Sequence, residues 1–263
     1  MHKIAIGGFD GVHIAHKELI NRADKVVIIE KGSSLTPGFD RLEYINKPFD
    51  FLFLDDIKHL SPYEFIEYLK KLNAKEIIVG EDFRFGHNRS GDISLLKEHF
   101  KVEVIKEIKI QGTGVHAKTI RELIRKGEIS KANDFLGRFY KIKGTKIKGQ
   151  GLGKKELVAT INIELFKPYT QPKSGVYATK TNGFDSITFL GIRSTDNNFS
   201  IETHILDIEV DFSGLIEIEF VEFLRENRKF ESLSALKEAI KQDIQNCKSV
   251  LNSRKNSYAK QYA

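Results

Sequence analysis

The 263-residue chain carries 42 Lys and Arg against 36 Asp and Glu, a formal charge of +6, with 40% hydrophobic residues and a single cysteine. That suffices for one large domain or two ordinary ones with proper cores. It holds neither the roughly 18 uninterrupted apolar residues of a membrane span nor the basic, apolar and small-residue order of a secretory leader, so a soluble, cytoplasmic protein with no membrane partner is expected. The basic balance admits a polyanionic partner, but the lysines are scattered among acids and no long basic run interleaved with aromatics points to nucleic acid. Cys247 alone can close no disulfide within the chain.

In chain order, "KIAIGGF", "KVVIIE", "KEIIVGEDF" and "VEVIKEI" read as short apolar strands. Helical patterns fall between them, "HKELINRAD", "SPYEFIEYLKKL" and "ISLLKEHF". Such alternation predicts parallel strands with helical crossovers, an α/β sheet. Ser61 followed by Pro62 is an N-cap with proline at the first helical position. "TIRELIRKGEISKANDFLGR" predicts two short helices, with Gly127 and Gly137 as left-handed stops. From Phe139 the texture changes to β-branched and aromatic strands: "FYKIKGTKIKG", "ATINIEL", "SGVYATKT", "SITFLGIR", "FSIETHILDIEV" and "IEIEFVEFL". Their close spacing predicts a small antiparallel barrel or sandwich. A last helix should cover it with the stripe Leu233, Leu236, Ile240, Ile244, Cys247 and Leu251, and the tail from Lys248 reads as a frayed end. The boundary falls near Gly137, giving units 1–137 and 138–263.

One stretch carries chemistry by its own pattern. "GGFDGVHIAHKELI", residues 7 to 20, is a strand end, a glycine turn and a helix start. Glycines let the backbone approach a ligand, and exposed amides at a helix N-terminus favour an anion. His13 and His16, three apart, share one helical face, from which both rings can reach one phosphate.

The stretch resembles the His-x-Gly-His signature of the nucleotidyltransferase superfamily, with Ala15 in place of the glycine. The whole chain resembles the bacterial bifunctional riboflavin kinase and FAD synthetase. "LSPYEFIEYL", "IIVGEDFRFGHNRSGD", "TIRELIRKGEISKANDFLGRFYKIKG", "SGVYAT", "IETHILD" and "FLRENRKFESLSALKEAIKQDI" follow that family's order over nearly the full length. The resemblance implies a Rossmann-like α/β adenylyltransferase domain followed by an antiparallel β-barrel riboflavin kinase domain with a C-terminal helix. It implies ATP, riboflavin and FMN as small-molecule substrates and Mg²⁺ as the metal.

Carried over residue by residue, His13 and His16 contact the ATP phosphates while FMN attacks the α-phosphorus. Gly8, Phe9 and Asp10 bind in the same turn. Gly80 and Asp82 match a ligand-contacting strand end, Arg89 a phosphate contact, and Arg121 the arginine of a Ser-Ser-Thr-x-Ile-Arg motif. Phe83 and Phe85 are core or flavin neighbours, with at least one in the core. Two departures stand out: His116, Ala117 and Lys118 replace the motif's three hydroxyl residues, and the segment after "KVVIIE" is short and lacks a Pro-His-Pro loop. In the second half, "LVATIN" supplies Thr160 and Asn162 for Mg²⁺ and nucleotide phosphates. "KGQGLGKK" supplies Gly149, Gly153 and Lys154 as a phosphate flap. Glu202 matches a general base beside the riboflavin hydroxyl, and Arg193 and Arg225 fall in flavin and nucleotide loops; Arg225 and Arg228 also suit surface pairing with glutamates. His204, on the face of Glu202, is structural or exposed. Two other readings stand beside this one: a monofunctional riboflavin kinase with a degenerate first domain, motivated by His116 to Lys118, and a non-catalytic flavin- or nucleic-acid-binding regulator.

Overall fold

The computed structural model describes residues 2–147, 158–192, 199–210 and 212–261, with side chains as far as Arg254. The chain divides into two compact units, Met1–Ile120 and Arg121–Ala263. Gly137 therefore lies inside the second unit. No described helix is long and apolar enough to cross a membrane.

The first unit is a five-stranded parallel sheet. Its strands are β1 (His2–Gly7), β2 (Lys25–Glu30), β3 (Phe49–Phe53), β4 (Ala74–Gly80) and β5 (Lys101–Ile105) in the order β3-β2-β1-β4-β5. Helices α1 (Ile14–Arg22), α2 (Leu54–Ile57), α3 (Pro62–Lys71) and α4 (Ile93–His99) link them. Both faces of the sheet are covered, which is why its strands read as apolar runs. On one face Ile4, Ile6, Ile77 and Val79 pack with Phe65, Ile66 and Leu69 of α3. On the other, Ala5, Val26, Ile28 and Ile78 pack with Leu19 and Ile20 of α1. Each such buried aliphatic side chain contributes about 1.5–3 kcal/mol. Ser61 caps α3 as expected, and Glu64 completes a reciprocal capping box. The edge strand β3 and a 3₁₀ helix at Gly38–Tyr44 were not among the expected elements. After β5 a short hairpin, β6 (Lys109–Ile110) and β7 (Thr113–Gly114), leads into α5 (Ala117–Lys126).

In the second unit α6 (Ile129–Leu136) precedes a closed barrel in the order β10-β11-β12-β9-β8-β13. Its strands are β8 (Tyr140–Ile147), β9 (Ile161–Leu165), β10 (Gly175–Thr181), β11 (Phe184–Ile192), β12 (Phe199–Ile205) and β13 (Leu215–Glu226). The neighbouring strand pairs are antiparallel, so the barrel rather than the sandwich is the outcome. Gly127 and Gly137 have φ of 81° and 67°, the left-handed stops expected of them. Asn133 on α6 ties the helix to the barrel: its side-chain amide donates to the Phe220 carbonyl and its oxygen accepts from the Tyr140 amide, at 2.9 and 2.7 Å.

The last helix, α7 (Leu233–Gln261), covers the barrel differently from the expected stripe. Cys247 and Leu251 are buried against Val176, Ala178, Ile187 and Val221, but Leu233 is exposed. The buried face begins instead at Ala239 and Asp243, because the carboxylate of Asp243 accepts two hydrogen bonds from Arg225 at 2.8 and 2.6 Å. Helical backbone also runs through the tail expected to fray, to Gln261. The Cys247 thiol donates to the Ser186 carbonyl, and burial pushes its pKa up to about 12.

The barrel interior is not uniformly apolar. Thr179, Thr181, Ser186, Thr188 and Thr203 are all fully buried, and their hydroxyls close a ring. It runs Thr179, Ser186, Thr181, Thr203, Thr188 and back to Thr179, with oxygens 2.8–3.0 Å apart. In such a ring every hydroxyl donates once and accepts once, so each buried polar group is satisfied. Thr181→Val keeps the shape and opens the ring, leaving Ser186 and Thr203 each short of one of two hydroxyl partners. A loss of about 1–3 kcal/mol in urea unfolding is expected, against less than about 0.5 kcal/mol for exposed Thr145→Val.

Candidate active site

The order of the first sheet reverses between β1 and β4, and in an open parallel sheet ligands bind at the carboxyl ends of the strands beside such a reversal. Gly8 follows β1 there, and the chain turns sharply into α1. Phe9 takes a left-handed φ of 48° and is buried. His13 is not in the helix, as the spacing implied, but caps it: its Nδ1 accepts from the His16 amide at 3.3 Å. That acceptor role places the proton of the neutral His13 ring on Nε2. His16 still lies beside it, the two imidazoles stacked with centroids 3.4 Å apart, and the edge of Phe9 closes on His16 at 5.3 Å. His16 Nδ1 is buried and meets no hydrogen-bond partner. Burial holds the His16 pKa well below its usual value, reinforced by His13, Arg41, Lys31 and His116.

The same group of charges identifies residues that the sequence pattern did not single out. Arg41, on the 3₁₀ helix of the segment that lacks the Pro-His-Pro loop, is fully buried and donates to the Gly8 carbonyl at 2.5 Å. Its guanidinium also pairs with Glu30 and lies over the Phe51 ring. Glu30 further accepts from the amides of Gly32 and Ser33, both at 2.8 Å. Burial alone would raise the Glu30 pKa; these amides and Arg41 outweigh it and leave it low. A run of charged residues gives no hint that one arginine will be enclosed.

Asp10 is buried and faces the loop behind the turn, where Oδ1 accepts from the amides of Leu35 and Thr36 at 2.8 and 3.1 Å. Gly80 ends β4 and exposed Asp82 follows it, while Arg89 is exposed on a 3₁₀ turn, His87–Arg89. Phe85 is core and Phe83 is half-buried against it. His116 binds Glu107, Nε2 to Oε1 at 2.7 Å, and Lys118 is exposed in the first turn of α5. Arg121 lies on the same helix.

In the barrel, β12 alternates: Thr203 joins the interior ring, whereas Glu202 and His204 occupy the other face. Glu202 pairs with Asn162 of β9 across the strands. Its Oε2 accepts from Thr160 at 3.3 Å and its Oε1 from Ser200 at 2.9 Å. Thr160, Asn162 and Glu202 are thus brought together, with Ser200 as an unforeseen neighbour. These are oxygen donors, the type a hard divalent cation takes. Nδ1 of His204 bonds to the Ala159 carbonyl at 2.8 Å, a structural role. Arg225 is occupied by Asp243, not by a glutamate, and Arg228 lies over Phe230 at 5.0 Å. Gly149, Gly153, Lys154 and Arg193 lie outside the described residues.

Two family models match the chain, FAD synthetase over residues 30–119 and riboflavin kinase over residues 136–251. A bifunctional riboflavin kinase/FMN adenylyltransferase of Buchnera aphidicola subsp. Schizaphis graminum is 32% identical, covering 95% of this chain and 94% of its own. One of the same description from Listeria monocytogenes is 28% identical over 92% and 90%. A solved structure described as a macrolide-efflux protein from Streptococcus pneumoniae shares the fold, with TM-score 0.79 at 22% identity over 94% of this chain and 93% of that one.

The state of His16 is open to measurement. A histidine whose folded pKa lies below its unfolded value of about 6.5 binds protons more readily when unfolded. Its stabilisation is full above that value and is lost as pH falls from it toward the folded pKa. The urea midpoint of the first unit, followed by amide NMR signals of β1 and β4, should fall across that window. His16→Gln should remove that part of the slope, and an unaltered slope contradicts a ring buried neutral.

Proposed function

The chain belongs to the bifunctional riboflavin kinase/FMN adenylyltransferase family, and on that premise we propose how its residues divide the work. It is an enzyme that phosphorylates riboflavin with ATP to give FMN and ADP, then joins the adenylyl group of ATP to FMN to give FAD and diphosphate. The two families use ATP and typically a divalent metal, and Mg²⁺ is our assignment of it. We divide the functional halves at Gly137, a reading supported by the riboflavin kinase match that starts at residue 136. We place the enzyme in the cytoplasm, among small-molecule substrates only.

In the first half the observation that carries the reading is the stacked His13 and His16 at the carboxyl end of β1. His13 Nε2–H and the His16 ring hold ATP phosphate oxygens while the FMN phosphate attacks the α-phosphorus and diphosphate leaves. Donors fixed in advance stabilise the charge that grows there. Gly8 and Phe9 shape the turn, and Asp10 works at one remove by anchoring residues 35 and 36. Gly80, Asp82, Arg89 and Arg121 are assigned to nucleotide and phosphate contacts.

In the barrel, Glu202 accepts the proton of the riboflavin terminal hydroxyl as that oxygen attacks the γ-phosphorus. Ser200 and Thr160 hydrogen-bond to the two carboxylate oxygens and orient them. Thr160 and Asn162 would hold Mg²⁺, which when bound offsets phosphate charge. Gly149, Gly153, Lys154, Arg193 and Arg225 are assigned to ATP and flavin.

Purified enzyme given riboflavin, ATP and Mg²⁺ should form FMN and then FAD, separated by chromatography. Glu202→Gln should slow FMN formation by about 10²–10⁴-fold and leave FMN-to-FAD conversion intact. His16→Ala should do the converse, by about 10²–10³-fold. If either variant loses both activities together, the division is wrong.

A further inference from the structure

His116 stands where the sequence departs from its family, and its surroundings are built around it. The β6–β7 hairpin pairs Lys109 with Gly114 and Ile110 with Thr113, and the pairing continues through the Val115 amide to the Ile108 carbonyl at 2.8 Å. That register sets Glu107 beside His116, where Nε2 and Oε1 meet at 2.7 Å. Gly114 leaves room for the pair, since a Cβ there would lie 2.2 Å from Glu107 Oε1 and 3.0 Å from His116 Nε2. Glu107 is itself held, its amide donating to the Glu81 carboxylate at 3.1 Å.

The placement of this pair is set by topology. Glu81 follows β4 and Glu107 follows β5, at the carboxyl ends of the strands on one side of the reversal. Gly8 and His13 follow β1 on the other. The two helix starts, His13 at α1 and His116 before α5, so flank the same crevice, and the charge of His116 bears on His16.

We propose that His116, oriented by Glu107, is a third phosphate-binding imidazole of the adenylyltransferase site and acts as an imidazolium, in place of the hydroxyl residues this chain lacks. The proposal rests on the adenylyl-transfer reading. Its chemistry follows from the hydrogen bond. An ionised carboxylate only accepts, so Nε2 carries a proton toward Glu107, whose own pKa is held down by His116 and then Lys109. The other nitrogen, Nδ1, is a lone pair in the neutral ring and an N–H only in the charged one. To donate to a phosphate oxygen, His116 must be charged. The side chain is about half exposed, which leaves that donor accessible to a ligand.

The groups around it divide the labour. Lys109 also binds Glu107, at 3.1 Å, and Lys118 adds a cation on the first turn of α5, with Arg121 further along. His16, across the crevice on α1, is kept neutral by burial and by the cations near it. When the FMN phosphate oxygen bonds to the α-phosphorus and the bond to the bridging oxygen breaks, the electron pair leaves with diphosphate. His116 stabilises that group by an N–H bond, and no proton need be transferred.

The test uses the full-length enzyme, with riboflavin phosphorylation as an internal control. His116→Gln should slow FMN-to-FAD conversion by about 10²-fold without changing FMN formation. Glu107→Gln, which removes the group that orients His116, should slow the same step with FMN formation unchanged, and His116→Lys, a fixed cation, should recover part of it. Full activity of His116→Gln, or full activity of Glu107→Gln, overturns the proposal. So does parallel loss of both activities, which would make His116 a residue of the fold. Should His116→Gln unfold the first unit, the other two variants decide. A wild-type enzyme that makes no FAD at all would instead fail the adenylyl-transfer reading.

Discussion

The ion pair of Arg41 with Glu30, closed off from water beneath the glycine turn, sets the position of everything that follows β1. The guanidinium has no exposed surface and the Glu30 side chain very little. A charge buried this far is tolerated only with its hydrogen bonds made, and loss of one partner costs about 3–5 kcal/mol. Arg41 makes two of them, to Glu30 and to the Gly8 carbonyl, 33 residues back along the chain, while its Nε meets no partner. The end of β2, the 3₁₀ helix and the start of the turn are therefore one assembly. With Gly8 held from below and Asp10 drawn toward Leu35 and Thr36, the chain reaches His13 in the extended conformation of a helix cap. The short segment after β2 is a compact support for the histidines, and its cation also disfavours a proton on His16.

The barrel reaches the same end by a different device. The Glu202 carboxylate, to which we assign the proton transfer, sits on a strand whose next residue, Thr203, is locked into the hydroxyl ring. Side chains alternate along a strand, so fixing Thr203 inward fixes Glu202 outward, where Thr160 and Ser200 reach its two oxygens. A ring of directional bonds specifies strand register more narrowly than aliphatic packing, because a slip of one residue would strand every hydroxyl without a partner.

These two supports also mark how far the sequence alone could be read. Local patterns were legible: the alternation of strands and helices, the Ser61 cap, the stops at Gly127 and Gly137, and the grouping of His13 with His16 and of Thr160 and Asn162 with Glu202. What escaped depends on partners distant in the chain. Arg41 looks like any surface arginine until Glu30 and Gly8 enclose it. The strand "FDFLF" carries aromatics that remain partly exposed at the sheet edge, so neither of its faces announces a core. Leu233 fits the apolar period of α7, yet Asp243 sits on the buried face because Arg225 satisfies it. Asp10 lies in the turn of the expected ligand residues, and two bonds to its carboxylate come from Leu35 and Thr36, 25 and 26 residues on.

The distribution of charge follows the chemistry of the two reactions. Much of the positive excess is dispersed in ion pairs, as where Lys141 and Lys143 share Glu217 and where Lys3 and Lys101 share Glu76. Adenylyl transfer must hold two anions, FMN and ATP, in contact, and the basic side chains Arg41, Lys31, His13 and His116 are near enough to His16 to disfavour a proton on it. Riboflavin phosphorylation joins one anion to a neutral alcohol, and the hydroxyl must shed a proton. A carboxylate such as Glu202 is useful there and would be repulsive in the other site. On the proposed assignment, the two halves differ in the group set against the attacking molecule, cations or imidazoles for an anion and a carboxylate for an alcohol.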